Sequence, residues 1–113
     1  MLDLFRKRTM KYKNIDAEEF AALKGLDNHM VLDVRTPPEL SEGEIPGHIM
    51  INFFDRDFRQ KIAKLDRSNA YLVYCRSGGR SGQACAALAE MGFAGLYNLQ
   101  GGIQAWNSLK PAG

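Results

Sequence analysis

Residues 70–93 read AYLVYCRSGGRSGQACAALAEMGF, and the change of pattern inside this stretch decides how the rest of the chain is read. Ala70 to Cys75 is a short, nearly continuous apolar run, the mark of a strand covered on both faces. From Arg80 onward, Ala84, Leu88 and Met91 recur at helical spacing, with Gly82 a mild cost inside the helix and Gly92 its stop. A strand that passes through a brief Gly-rich loop into a helix is half of a βαβ unit.

The same alternation extends in both directions. Tyr12–Ile15 reads as a weak strand, and DAEEFAALKG after it as a helix. Asp16 is its N-cap, Glu19 completes a capping box, Gly25 is the stop, and Phe20, Leu23 and Ala21 form its inner face. His29–Val34 is a second continuous apolar run. The Pro- and Gly-rich RTPPELSEGEIPG is a connection holding one helical turn after Pro37 or Pro38. IMINF (Ile49–Phe53) is a short strand, and DRDFRQKIAKLD carries the helical stripe Phe58, Ile62, Leu65. GLYNL is the last strand and GGIQAWNSLK a closing helix, with Trp106 packed in the core. Strands alternating with helices define an α/β fold with a parallel sheet and helices on both faces. Ligands of such sheets collect outside the carboxyl ends of the strands, where Cys75 stands.

With 113 residues the chain has room for one core, so a basic segment over residues 1–11 is expected to lead into a single domain over 12–110. Apolar residues at 45% and charged residues at 25% exclude a disordered chain. A net charge of +2 does not point to nucleic acid. No apolar stretch reaches the roughly 20 residues of a membrane span, and the first residues lack the apolar core of a secretory signal. The expected address is the cytoplasm, with a processed export product as the alternative. Arg6, Lys7, Arg8, Lys11 and Lys13 read as a solvated end rather than a membrane contact.

The loop after Cys75 has its own chemistry. The first amides of a helix lack internal partners, and Ser77, Gly78 and Gly79 are small enough to let the loop curl and aim them inward. Arg76 and Arg80 add permanent charge suited to oxyanions. The residues expected to bind substrate or anion are therefore Arg76, Ser77, Gly78, Gly79, Arg80 and Ser81. A thiol at the centre of this cradle loses its proton readily, so Cys75 is the expected nucleophile. Cys85 lies among alanines inside the helix and reads as packing. The intervening helix also holds the Cα atoms of the two cysteines beyond disulfide reach, which predicts free thiols. His29 and His48 have no metal-ligand spacing, and neither metal nor cofactor is expected.

Two blocks carry a family resemblance. YLVYCRSGGRSGQACAALAEMGFAGLYNLQGGIQAW (Tyr71–Trp106) is similar to the active-site region of single-domain rhodaneses, the sulfurtransferases. LDVRTPPELSEGEIPG (Leu32–Gly47) resembles the Asp-Val-Arg block of that family, with its Glu and its Gly-x-Ile-x-Gly continuation. The likeness runs from about Ile15 to Leu109. It implies a five-stranded parallel sheet flanked by helices, and a Cys75 that accepts a sulfane sulfur as a persulfide. Loop amides would surround that sulfur, and Arg76 and Arg80 would hold an anionic donor such as thiosulfate. The acceptor would be cyanide, a thiol or a protein partner, in a ping-pong reaction. The chain departs from the family pattern at Glu44, His48 and Met50, where many members have His, Ala and Asn.

Asp33 and Arg35 close a strand near the site and read as a structural ion pair rather than catalytic groups. Cysteine-dependent phosphatases and arsenate reductases use a similar cradle but separate Cys and Arg by five residues. Here four residues separate Cys75 from Arg80, which suits one sulfur atom better than a phosphate. A persulfide carrier without turnover uses the same cysteine chemistry, and a regulatory domain without catalysis would not need Cys75.

Overall fold

The computed structural model describes residues 11–109. The expectations for residues 1–10, including Arg6, Lys7 and Arg8, lie outside the described residues. Within them the elements are β1 (Lys13–Ile15), α1 (Ala17–Leu23), β2 (His29–Asp33), a 3-10 helix (Pro37–Glu42), β3 (His48–Met50), α2 (Phe58–Ala63), β4 (Ala70–Tyr74), α3 (Gly79–Glu90), β5 (Leu96–Leu99) and α4 (Gly102–Asn107). The strands form a five-stranded sheet in the order β1-β5-β4-β2-β3, and every pairing is parallel.

Strand β4 is central, which explains why its sequence is apolar without alternation. Tyr71, Val73 and Cys75 project to one face, into a core with Leu32, Phe58, Ile62, Ala84, Cys85 and Leu88 beneath α2 and α3. Leu72 and Tyr74 project to the other, with Ile15, Phe20, Val31, Leu99 and Ile103 beneath α1 and α4. Both faces are covered by helices, so the strand shows no alternation of apolar and polar residues. Leu72 and Leu88 are fully enclosed, and truncating either to Ala costs about 2–5 kcal/mol.

Local differences from the sequence reading have local causes. Asp16 caps α1 through the Glu19 N–H at 2.9 Å, but the reciprocal capping box forms elsewhere, where Glu39 accepts from the Thr36 N–H and hydroxyl. The inner face of α1 is Ala17 and Phe20, while Ala21 and Leu23 are half-buried. Strand β3 stops at Met50 because Asn52 turns the chain, accepting the Phe54 N–H on its side chain and the Asp55 N–H on its carbonyl. The ladder persists beyond it all the same, through Ile51 N–H to Asp33 and Phe53 N–H to Val34. Glu44 is exposed and His48 and Met50 half-buried, while Ile45 between them is fully buried and holds the segment in place. Trp106 meets Phe20 edge-on at 6.0 Å.

The end of the sheet near Cys75 is closed by α4. Gly102 has φ +57°, and a Cβ there would lie 2.5 Å from the Cys75 carbonyl oxygen. Only glycine admits this approach. It lets the Ile103 N–H donate to the Cys75 carbonyl at 2.9 Å, tying the start of α4 to the start of the loop.

Candidate active site

Strand β4 ends at Tyr74, and Cys75 is the next residue, 1% exposed at the carboxyl edge of the sheet. Its sulfur faces the amino end of α3. The Gly78 N–H lies 3.1 Å from Sγ, the Ser81 N–H 3.4 Å and the Ser81 hydroxyl 3.3 Å. Gly78 makes this possible. It stands at the N-cap with φ +112°, a conformation that turns its amide toward the sulfur and that side-chain-bearing residues rarely adopt. Burial pushes the Cys75 thiol up, but the Ser81 hydroxyl and the N–H groups of Ser81, Gly78 and Ser77 outweigh it, and the balance is downward. A twelve-residue helix aims its positive end at the same point.

Both arginines of the loop meet a carboxylate. Arg80 is committed to Glu39 in a bidentate pair, Nη1 to Oε1 and Nη2 to Oε2, both at 2.7 Å. Hydrogen bonding from Arg80 holds the Glu39 carboxyl down to about 2 against its burial. Arg76 is more open and meets Glu42 at 3.3 Å through Nε. The Arg80 guanidinium also sits 5.6 Å from the ring centre of Phe54, which is 66% exposed. Each loop cation therefore has a carboxylate partner, and what converges on the sulfur is backbone and hydroxyl.

Asp33 and Arg35 lie on the opposite face of the sheet from the sulfur, both fully buried. Arg35 donates from Nη2 and Nε to Asp33 at 2.8 and 3.0 Å. The Tyr74 hydroxyl donates to Asp33 at 2.9 Å and accepts the Ile45 N–H at 3.2 Å. Arg35 Nη1 reaches the Glu39 carbonyl at 3.0 Å. Glu39 thus receives Arg35 on its backbone and Arg80 on its side chain, and couples this buried hub to the loop. Desolvation pushes the Tyr74 hydroxyl up to about 12, so it stays a neutral donor.

Four participants were not singled out as site residues from the sequence: Glu39, Glu42, Tyr74 and Asn98. Glu39 stands three residues after Thr36, a visible capping-box spacing. Asn98 is a polar residue in an otherwise apolar strand, which is a signal in itself. It is buried, accepts from the Ser81 hydroxyl, and donates to the Gly78 carbonyl at 3.1 Å and to Asn14 at 2.9 Å. Tyr74 and Glu42 carry no such mark, since nothing in their local sequence announces their partners. Cys85 is also fully buried, but it has no donor ring, and burial, with the nearby charge of Cys75, pushes its thiol up to about 12. Both cysteines are free.

Comparison with known proteins gives concordant results. The model of the rhodanese-like domain matches residues 16–109. A sulfurtransferase of Allochromatium vinosum is 38% identical over 93 residues, covering 81% of this chain and 85% of its own. The thiosulfate sulfurtransferase GlpE of Pseudomonas putida is 31% identical, covering 90% of this chain and 91% of its own. The crystal structure of a rhodanese-related protein from Thermoplasma volcanium superposes with a TM-score of 0.72 at 34% identity, covering 85% of this chain and 91% of that one.

Proposed function

This chain belongs to the rhodanese-like domain family, and on that premise we propose that it moves a sulfane sulfur through a persulfide on Cys75. The donor in this reading is a small anion such as thiosulfate, and the acceptor is cyanide, a thiol or a protein. The observation that carries the reading is the convergence of the Gly78 and Ser81 N–H groups and the Ser81 hydroxyl on one sulfur. These are the donors a thiolate needs, and after transfer they can hold the negative outer sulfur of a persulfide.

The Cys75 thiolate attacks the outer sulfur of thiosulfate and forms an S–S bond. The donor's own S–S bond breaks, and its electron pair leaves with sulfite. Cyanide then attacks the outer sulfur of the persulfide and forms a C–S bond. The Cys75 thiolate is the leaving group, so charge and electrons balance over both halves. Helix α3 and the loop amides stabilise the anionic sulfur at each stage. Asp33 and Arg35 act in this reading only by holding Glu39, and through it Arg80, in place.

The test is thiocyanate formation from thiosulfate and cyanide by the wild type and by Cys75→Ser. Activity should fall to the uncatalysed background in the variant; equal activity in the two would overturn the reading.

One observation favours a second reading, persulfide carriage to a protein acceptor. Glu39 and Glu42 neutralise Arg80 and Arg76, which reduces the pull on a doubly charged donor. A persulfide that persists in intact-mass spectra, with negligible cyanide turnover, would select carriage. The engagement of both Arg80 nitrogens by Glu39, with the four-residue spacing, weighs against a phosphate-cleaving enzyme.

A further inference from the structure

The Ser81 hydroxyl has one proton and two acceptors. Its Oγ lies 3.3 Å from Cys75 Sγ on one side and within hydrogen-bond distance of Asn98 Oδ1 on the other. The orientation of the Asn98 amide decides which acceptor has it. On its other side Asn98 faces the Gly78 carbonyl at 3.1 Å, a group that can only accept. The atom facing Gly78 is therefore the NH₂, and the atom facing Ser81 is the carbonyl oxygen. That oxygen carries no proton, so the hydrogen between Asn98 and Ser81 belongs to Ser81.

While it is held there, Ser81 presents only lone pairs to the sulfur. A neutral Cys75 is satisfied by this, because its S–H can donate to Oγ. A thiolate is not. On ionisation the thiol proton leaves for solvent, and the hydroxyl hydrogen must swing about the Cβ–Oγ bond from Asn98 Oδ1 to Sγ. Asn98 Oδ1 then loses its donor inside a buried site, which has a cost. The Gly78 and Ser81 N–H groups carry no such debt, since they face the sulfur in either state.

We infer that Asn98 is a positioning residue that sets how readily Cys75 ionises, by competing with the sulfur for the single proton of Ser81. Strand β5 thereby tunes a nucleophile delivered by β4. The inference deepens the persulfide reading but concerns only the protonation of Cys75. The titratable groups around the sulfur leave this competition standing. Arg76 and Arg80 of the loop are paired with Glu42 and Glu39, and α3 contributes the Cys85 thiol. Tyr12 packs on this face beside Gly82, while Tyr97 of β5 lies in the core of the other face, as do Tyr74 and its partners Asp33 and Arg35.

The experiment follows the Cys75 Cβ chemical shift against pH by NMR in cysteine-labelled protein, which requires no sulfur transfer and so fails or holds independently of the persulfide reading. Asn98→Leu removes the competing acceptor and should lower the Cys75 pKa by about one unit, the scale of one hydrogen bond to an ionised group. Asn98→Asp keeps a stronger acceptor in place and should raise it. In a Ser81→Ala background, Asn98→Leu should have no effect. Ser81→Ala alone should raise the pKa by less than about one unit, because what the hydroxyl gives the thiolate is partly offset by what it takes from Asn98. An Asn98→Leu shift that is absent, upward, or undiminished in Ser81→Ala would overturn the inference. So would a rise of a full unit or more in Ser81→Ala alone, a measurement that stands even if the Asn98 variants do not fold.

Discussion

Cys75 and Cys85 stand ten residues apart and are both almost fully buried, yet their thiols are shifted in opposite directions. Cys85 lies in the second turn of α3, where the backbone amides are already consumed by the helix. Burial acts on it without opposition, and its thiol rises to about 12. Cys75 lies before the first turn, where the amides are unspent and point at its sulfur. Burial therefore does not define a structural cysteine. What separates the two is the Ser81 hydroxyl and the N–H groups of Ser81, Gly78 and Ser77, which face Cys75 where the chain enters α3 and have no counterpart at Cys85.

The comparison breaks most severely if the two positions prove interchangeable. Cys75→Ser should abolish thiocyanate formation, whereas Cys85→Ala should keep the catalytic rate of the wild type while lowering stability by about 1 kcal/mol through the small cavity left behind. Activity assays with thermal melts on both variants check this, and loss of activity in a folded Cys85→Ala would erase the distinction.

Gly78→Ala attacks the donor ring itself. A Cβ at φ +112° is strained, and it would also lie 3.4 Å from the Leu99 carbonyl. The expected result is about 1–3 kcal/mol of lost stability and a Cys75 pKa that rises toward that of an ordinary thiol. Denaturant unfolding and the pH dependence of Cys75 titration measure the two effects. An unchanged titration would mean that the Gly78 amide does not matter.

Glu39→Gln tests the scaffold behind the ring. The Glu39 carboxyl is depressed from 4.5 to about 2, so its pairing with Arg80 stabilises the fold fully above about pH 4.5. That stability, on the order of 1–2 kcal/mol for this half-buried pair, is lost as pH falls from there toward 2. The wild type should therefore weaken over this range more steeply than Glu39→Gln, which no longer titrates. Parallel pH-stability curves would remove the pair from the account.

The smallest effect belongs to Arg76→Ala. Its pairing with Glu42 is more than half exposed on the arginine side, and its loss should cost less than about 0.5 kcal/mol. Chemical denaturation measures that cost, while the KM for thiosulfate, compared between variant and wild type, reports whether the exposed charge serves the donor. A larger stability loss would place Arg76 among the structural residues.

Much of this molecule is legible in its sequence because the relevant signals are local. The apolar run 70–75, the glycines of the loop and the helical stripe after them each report on neighbours a few residues away. The Asx turn at Asn52 that ends β3 one strand-length early is also local, but it competes with an apolar pattern that continues through Phe53. The partners of the two arginines were harder. Arg80 meets a carboxylate 41 positions earlier and Arg76 one 34 positions earlier, and spacing says nothing about which pairs the fold brings together. Two arginines beside a cysteine suggest a clamp for an anion; the fold supplies each with a counter-charge.

The sequence alone determined the alternation of strands and helices, the position of Cys75 at a strand end, and the unspent amides that follow it. All of these arise from backbone geometry and short-range periodicity, which the chain carries wherever it folds. The link Glu39 makes between the Asp33–Arg35–Tyr74 hub and Arg80, and the contact of Asn98 with Ser81 from another strand, arise from packing across the fold. Those contacts depend on the order in which parallel strands are laid side by side. That order is set by the burial of both faces of the sheet together, not by any one segment.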